Sequence, residues 1–287
     1  MKVPNSPMIS VITVVMDDFE GFRVTANSLI SQRNSEFEWI IVDSSKSDEI
    51  AQFLLRDEFS GLSTRYFKQV PRGIYSAMNT GWQKAHGLFV WYINAGDYFS
   101  STQSTEIARG KLDSATSALA FPVLHVTHDG FVYAITRPEV HEISPLESYA
   151  IMNHQGVLVR KEVVKNSDGF DESLKYAADG KFLDYVSQNF KIKICNEAII
   201  AFVHGGASSL NHKKVWEEIK TYRVATISPL QIFMRSIKTK LRANIFNYKD
   251  NSQRARLVRA FLRKRLKKIK KNSAGTYFYM DNINSSK

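Results

Sequence analysis

GIYSAMNTGWQKAHGLFVWYINAGDYF, from Gly73 to Phe99, is the stretch that decides the fold. Its first half repeats apolar or small residues at helical spacing, and Gly87 is placed to end that helix. The repeating residues are Ile74, Ala77, Met78, Gly81, Trp82 and Ala85. The run Leu88–Ile93 has bulky apolar residues in succession and is too short for a helix with its own core. It therefore predicts a strand that is buried on both faces.

An acidic turn, Asn94-Ala95-Gly96-Asp97, follows this strand. In α/β proteins, ligands collect beyond the carboxyl ends of parallel strands, which is where this turn is expected. Small residues allow the backbone to approach a ligand closely, and a carboxylate supplies hard oxygen ligands for a divalent ion. The alternative is a plain Asx-Gly turn, and the turn taken alone favours that alternative.

Strands and helices alternate on both sides of this stretch. Apolar runs predict strands at Val11–Val15, which is expected to be buried, and at Trp39–Val42, and Thr64–Lys68 is a third short predicted strand. The first strand is followed by a predicted helix over Val24–Ser31. Such alternation is typical of a mostly parallel α/β sheet.

Beyond about residue 98 the pattern is mixed rather than alternating. The predicted helices are Ser101–Lys111 and Tyr176–Phe190. The predicted strands are Ala118–His125, Phe131–Thr136, Val157–Val159, Ile192–Ile194 and Ala198–Val203, with a hairpin turn at 128–130 and a double-glycine turn at 204–208. This change of pattern sets the residues after about 98 apart from the alternating part of the chain.

Four blocks together resemble one family. They are SVITVVMDDFEGFRVTANSLISQ (Ser10–Gln32), FEWIIVDSSKSD (Phe37–Asp48), the Gly73–Phe99 stretch, and HQGVLVRKEV with FDESLKYAAD (His154–Asp179). In this order they resemble the family-2 nucleotide-sugar glycosyltransferases, in the subgroup that builds bacterial surface polysaccharides. The resemblance implies a GT-A-like α/β fold and an inverting transfer of a hexosyl or N-acetylhexosaminyl group from a nucleotide-diphosphate donor to a glycan or lipid-linked acceptor.

The resemblance also implies residues for the donor nucleotide. Asp43, at the end of the second strand, corresponds to an Asp that contacts the nucleoside, although it also fits a residue that caps its own turn. Arg72 is a candidate for a bidentate phosphate contact. Asn79 and Asn94 complete the predicted nucleotide-binding set.

Metal binding is predicted from the acidic turn. Asp97 would hold Mn²⁺ or Mg²⁺ against the diphosphate, with His204 as a second candidate ligand, although a lone histidine is more often structural. Ala95 stands where the family's D-x-D pattern has its first acid. Pro71 and Ser76 also stand where the family commonly has Asp.

A general base is needed to take the proton of the acceptor hydroxyl. The KYAAD segment resembles the family's base segment and so implies Asp179, whose pKa we expect burial to raise. The alternative is an acid that is favoured in the first turn of a helix by the macrodipole. Asp171 and Asp184 are the rival carboxylates. His154 and Gln155 are predicted to line the acceptor side.

Charge divides the chain unevenly. Residues 1–210 carry 19 Lys and Arg against 24 Asp and Glu, a net of −5, whereas residues 211–287 carry 20 against 4, a net of +16. This predicts a catalytic domain over 1–210, with a nucleotide half at about 1–98 and an acceptor half at about 99–210, and a basic helical extension over 211–287.

The basic extension contains an amphipathic pattern at 252–271. Its apolar residues, at three- and four-residue spacing, are Leu257, Val258, Phe261, Leu262, Leu266 and Ile269, and ten Lys and Arg surround them. A helix of this kind docks on an anionic membrane surface. The apolar stripe would alternatively pack on the catalytic domain. Nucleic acid is not expected as a partner, because aromatic residues are not interleaved with the basic ones.

The expected location is cytoplasmic, peripheral at the inner face of the cell membrane. The N-terminus shows no signal-peptide cleavage site, no run reaches membrane-spanning length, and the single cysteine, Cys195, suits a reducing compartment. A function from another class stays open at this stage. Loss of acids at Ala95, Pro71 and Ser76 would fit a non-catalytic transferase-like scaffold that binds a membrane or nucleic acid through its basic tail.

Overall fold

A computed structural model describes residues 8–34, 36–128, 130–144, 147–204 and 211–223. The predicted membrane helix at 252–271 and most of the double-glycine turn lie outside the described residues. One compact unit runs to Ile219, beyond the predicted domain boundary after residue 210, and a second unit begins at Lys220. None of the described helices combines the length and apolar character needed to cross a membrane.

The elements follow one another in a βα order and then in a mixed order. The strands are β1 Ile9–Val15, β2 Phe37–Asp43, β3 Ser63–Lys68, β4 Phe89–Tyr92, β5 Tyr98–Phe99, β6 Ala118–Ala120, β7 Val123–Val126, β8 Val132–Thr136, β9 Glu139–Ser144, β10 Glu147–Ile151, β11 Val157–Arg160, β12 Ile192–Ile194 and β13 Ile200–Val203. The helices are α1 Phe19–Ile30, α2 Glu49–Phe53, α3 Ile74–Lys84, α4 Ser104–Arg109, α5 Lys161–Asn166, α6 Ala178–Asn189 and α7 His212–Tyr222.

The main sheet has seven strands in the order β12-β6-β11-β4-β1-β2-β3. Strands β4, β1, β2 and β3 are parallel neighbours, which confirms the mostly parallel α/β sheet predicted for the first part of the chain. Strand β11 runs antiparallel between β4 and β6 and makes the second half of the sheet mixed. The carboxyl ends of the four parallel strands therefore share one edge, where ligands are expected.

Helix α3 packs on the main sheet closely enough to require a glycine. A side chain at Gly81 would lie 2.4 Å from Ile12 Cγ2 of β1. At the start of this helix the buried face differs from the predicted one. Ile74, predicted to face inward, is 43% exposed, whereas Tyr75 is buried. The spacing alone did not identify Tyr75, since a tyrosine fits either an apolar or a polar face.

The predicted strand Ala118–His125 is two strands in two sheets. Strand β6 belongs to the main sheet, whereas β7 belongs to a four-stranded sheet with the order β5-β13-β7-β8. Pro122 stands at the break, and proline has no N–H to donate to a ladder. The β7–β8 pair is antiparallel, as the predicted hairpin requires. The β9–β10 pair was not predicted, and helix α4 is shorter than the predicted Ser101–Lys111.

A buried carboxylate ties the amino ends of the parallel strands together. Glu38 in β2 accepts hydrogen bonds from Ser10 Oγ at 2.5 Å, from the backbone N of His86 at 2.5 Å and Gly87 at 2.9 Å, and from Arg65 Nη1 at 3.3 Å. Burial raises the pKa of Glu38, but these hydrogen bonds outweigh burial and hold the pKa below its usual value. The ionised carboxylate is thus the form that folding stabilises.

We expect Glu38→Gln to lower the free energy of unfolding by about 3 kcal/mol at neutral pH, because it leaves buried donors without a charged acceptor. Since folding lowers the pKa of Glu38, its contribution is complete above the unfolded-state pKa and is lost as the pH falls. Urea unfolding at neutral and acidic pH should therefore show a smaller effect in acid. Glu20→Gln is the control, because Glu20 pairs with Arg23 at the exposed surface. Equal losses in the two variants would contradict the buried role.

Candidate active site

The acidic turn after β4 is held by the first helix. Thr25 Oγ1 in α1 donates to the carbonyl oxygen of Asp97 at 2.7 Å and accepts from Gly96 N at 3.1 Å. Gly96 has a φ of 95°, which favours glycine at this position. The turn therefore has a fixed shape, and that shape sets the direction of the Asp97 side chain.

Asp97 is 5% exposed, and both of its carboxylate oxygens accept hydrogen bonds. Oδ2 accepts from Gln155 Nε2 at 2.9 Å, and Oδ1 accepts from Val203 N at 3.1 Å. Burial raises the pKa of Asp97 to about 7, although both hydrogen bonds and the nearby His154 act in the opposite direction. The predicted metal residue thus lies beside the predicted acceptor residue Gln155.

A second set of side chains surrounds Asp179 in the first turn of α6. Asp179 Oδ2 lies 2.9 Å from His154 Nδ1, and Tyr75 OH donates to Oδ1 at 3.0 Å. His154 Nε2 lies 3.3 Å from Asn94 Nδ2. With a proton on Nδ1, His154 donates to the Asp179 carboxylate. The structure thus brings together Asn94, His154 and Asp179, three residues predicted from separate parts of the sequence.

The expected direction of the pKa shift at Asp179 was wrong. Burial raises the pKa, but hydrogen bonds from His154, Tyr75 and the backbone of Gly180, together with the charge interaction with His154, outweigh burial and lower it. Asp179 is therefore ionised at neutral pH. Its side chain is still 29% exposed.

The predicted nucleoside residue, Asp43, is fully buried at the end of β2. It accepts from Ser45 N at 2.7 Å, Tyr66 OH at 2.7 Å and Lys68 Nζ at 3.2 Å. Burial raises the pKa of Asp43, but its hydrogen bonds outweigh burial and lower it. Among these partners Lys68 has the most exposed side chain, and it is the one that a nucleoside would displace most readily.

Two of the predicted nucleotide residues are placed differently from Asp43. Asn79 Nδ2 donates to the carbonyl oxygen of Phe170 and to Glu172 Oε1, while Oδ1 accepts from Phe170 N and Trp82 Nε1. Its amide is fully engaged, so in this arrangement Asn79 positions the segment after α5 rather than facing a nucleotide. Arg72 is exposed in the loop after β3.

Oxygen ligands for a hard cation are present beside Asp97. Gln155 Oε1 and Asn94 Oδ1 are buried and have no hydrogen-bond partner among the described residues. His204 follows Val203, whose N–H contacts Asp97, and its ring lies 6.0 Å from that of Tyr133. Within the described ranges, no group of three or more His, Cys, Asp or Glu side chains is placed to hold a metal ion. The donor set fits Mn²⁺ or Mg²⁺ provided that substrate phosphates supply further ligands.

Thr25 and Tyr75 also belong to this site, although no sequence pattern singled them out. Each is a polar side chain on the buried face of a helix that follows a parallel strand. Such a placement can point to a site residue in a sequence. A buried hydroxyl needs a hydrogen-bond partner, and the nearest unpaired polar groups lie in the loops at the carboxyl edge of the sheet.

Comparison with known proteins finds similarity to glycosyltransferases. Residues 10–142 match the sequence model described as "Glycosyl transferase family 2". An uncharacterized glycosyltransferase of Mycobacterium tuberculosis H37Rv, Rv1514c, is 27% identical over 191 residues, which cover 62% of this chain and 68% of that protein.

Solved structures share the fold at low sequence identity. S. aureus TarS 1–349 in complex with UDP-GlcNAc aligns with a TM-score of 0.58 and 20% identity, over 75% of this chain and 65% of TarS 1–349, so this chain spans less than two thirds of that protein. The mannosyltransferase PcManGT from Pyrobaculum calidifontis, in complex with GDP-Man and Mn²⁺, aligns with a TM-score of 0.56 and 12% identity, over 92% of this chain and 81% of PcManGT.

The chain has a GT-A type α/β fold, which it shares with TarS 1–349 and PcManGT. The match to the glycosyltransferase family 2 model over residues 10–142 agrees with the family that the sequence resembles.

Proposed function

We propose that this protein is an inverting transferase that moves a sugar from a nucleotide-diphosphate donor to a hydroxyl of a glycan or lipid-linked acceptor. One observation carries the proposal. Asp179 contacts His154, and the adjacent Gln155 contacts Asp97, so a candidate base and a candidate diphosphate residue lie in one connected site. TarS and PcManGT, which share the fold, were crystallised with nucleotide sugars.

The chemistry of the proposal is a single displacement. The acceptor oxygen forms a bond to the anomeric carbon while the bond from that carbon to the donor phosphate breaks, and the electron pair leaves with the diphosphate. Asp179 takes the acceptor proton, and His154 and Tyr75 hold the carboxylate in position. Among the residues that the structure describes, the site offers one candidate base and no second candidate nucleophile, which favours inversion at the anomeric carbon.

A divalent ion, Mn²⁺ or Mg²⁺, would be held by Asp97, with His204 and the oxygen of Gln155 as further candidates. When bound, such an ion stabilises the negative charge of the leaving diphosphate. The chain's own contribution is to fix the Asp97 carboxylate between Gln155 and Val203 at the edge of the sheet.

The test is turnover with a panel of nucleotide sugars and Mn²⁺, preceded by thermal-shift screening of UDP and GDP. Stabilisation by a nucleotide identifies the donor base but does not require catalysis. The proposal is supported if the protein transfers or hydrolyses the sugar of a donor that carries the stabilising nucleotide. Nucleotide binding without turnover across the donor and acceptor panels would favour the non-catalytic scaffold instead.

We further propose a role in surface-polysaccharide assembly, with residues 252–271 holding the enzyme at an anionic membrane surface. The proposal rests on the net charge of +16 over residues 211–287 and on the apolar spacing within 252–271. Each basic residue near such a surface contributes about 1 kcal/mol, so several together suffice at low salt.

We expect the full chain to sediment with phosphatidylglycerol vesicles and a chain ending at Asn251 to remain in the supernatant. Vesicles of phosphatidylcholine serve as the uncharged control, and raised salt should release the full chain. Equal behaviour of the two chains would mean that 252–271 does not anchor the enzyme, which would favour its packing on the catalytic domain.

A further inference from the structure

The start of helix α6, which holds Asp179, lacks a cap of its own. Ala177 occupies the N-cap position and has no side-chain acceptor for the first backbone N–H groups. The three residues before the helix, Lys175, Tyr176 and Ala177, also present their backbone N–H groups in succession. Successive N–H groups of this kind need an acceptor, and a carboxylate is the most favourable one.

Glu218 in α7 supplies that acceptor from a distant part of the chain. Its Oε1 accepts from Lys175 N at 2.9 Å, and its Oε2 accepts from Tyr176 N at 2.7 Å and from Ala177 N at 2.9 Å. A negative charge at this place is also favoured by the dipole of α6. Lys214, one helical turn earlier in α7, lies 5.8 Å from the centre of the Tyr176 ring.

The segment that leads to Asp179 is therefore held at both ends. Asn79 fixes its beginning through Phe170 and Glu172, and Glu218 fixes its end two residues before the base. Because Asp179 lies in the first turn of α6, a shift of residues 175–177 moves its carboxylate relative to His154 and Tyr75.

We infer that Glu218 is a positioning residue for the base Asp179, so that helix α7, which the sequence assigned to the basic extension, is required for transfer. This inference rests on the proposed function, because it takes Asp179 as the base. Glu218 acts through the backbone of residues 175–177 and touches neither donor nor acceptor.

The decisive variant is Glu218→Gln, with Glu217→Gln as the matched control. Glutamine keeps the size of the side chain but turns an –NH₂ group toward backbone donors. Glu217 is the adjacent residue of the same helix, is 60% exposed and pairs only loosely with Lys213 at 3.9 Å. We expect Glu218→Gln to lower kcat at least tenfold, since small displacements of catalytic groups cost about tenfold to a hundredfold. The KM for the donor should stay within about twofold, because no donor contact is lost.

Two further measurements separate positioning from general destabilisation. Hydrogen exchange at residues 175–181 should accelerate in Glu218→Gln and not in Glu217→Gln. In the Asp179→Asn background, Glu218→Gln should cause little additional loss of kcat, because a residue that acts through the base has no effect once the base is removed. Glu218→Asp, which keeps the charge, should restore part of kcat and serves as the test if Glu218→Gln does not fold.

The outcomes distinguish this inference from the proposed function. If Glu218→Gln matches Glu217→Gln in kcat and exchange while Asp179→Asn is inactive, the role of Glu218 is overturned and the base is not. If Glu218→Gln lowers kcat by the same factor in the wild-type background and in the Asp179→Asn background, Glu218 does not act through the base. Full turnover in Asp179→Asn would instead contradict the proposed function itself.

Discussion

Asp179→Asn is expected to lower kcat by about 10²–10⁴-fold, because it removes the group that accepts the acceptor proton. The amide also places an –NH₂ group where Tyr75 OH or His154 Nδ1–H now donates, which disturbs the orientation of the imidazole. Donor affinity should change little, since a base on the acceptor side does not hold the nucleotide. Steady-state kinetics together with donor titration by calorimetry measure both quantities.

Asp171→Asn is the control for this prediction. Asp171 lies eight residues earlier, pairs with Lys181 at 2.6 Å, and is the rival carboxylate suggested by the sequence. Its hydrogen bonds with Lys181 and Ser173 lower its pKa to about 2, so it too is charged at neutral pH. A loss of donor affinity in Asp179→Asn that parallels the loss of rate would show a binding or structural role rather than a base.

The second large effect is expected at Asp97. Asp97→Asn should lower turnover at least about a hundredfold, because it removes the carboxylate that we propose to hold a divalent ion against the diphosphate. It should also lower the melting temperature, since one of the two donors, Gln155 Nε2 or Val203 N, then faces an –NH₂ group. Turnover across a Mn²⁺ titration separates these effects, because excess metal does not repair the fold.

Asp184→Asn is the matched control for Asp97. Asp184 is as buried as Asp97 and also accepts a backbone hydrogen bond, from Ala150 N at 3.0 Å. Its replacement should lower stability and leave the metal dependence of turnover unchanged. Near-normal turnover of Asp97→Asn at saturating Mn²⁺ would remove Asp97 from the metal site.

The sequence by itself determined the parallel part of the main sheet. Hydrophobic periodicity and turn-forming residues predict the four parallel strands. The acidic turn at Asp97 comes after the end of β4 in the chain. These are local signals, in which each side chain reports the burial of its own strand or helix. The resemblance to family-2 glycosyltransferases singled out Asp179 and His154. The structure places Asp179 Oδ2 and His154 Nδ1 2.9 Å apart.

Only the tertiary structure decided how the site residues are used. Asn79 has the residue type of a ligand-binding amide, yet its partners come from a segment 91 and 93 residues away, and no local pattern encodes that distance. The pKa of Asp179 depends on hydrogen bonds from His154 and Tyr75, which lie on other elements, so burial alone gave the wrong direction. Glu218 is one of two adjacent acids in a charged helix. Its role arises because the chain folds back to bring its carboxylate to three backbone N–H groups. Long-range polar contacts of this kind leave no periodic trace in a sequence, whereas burial does.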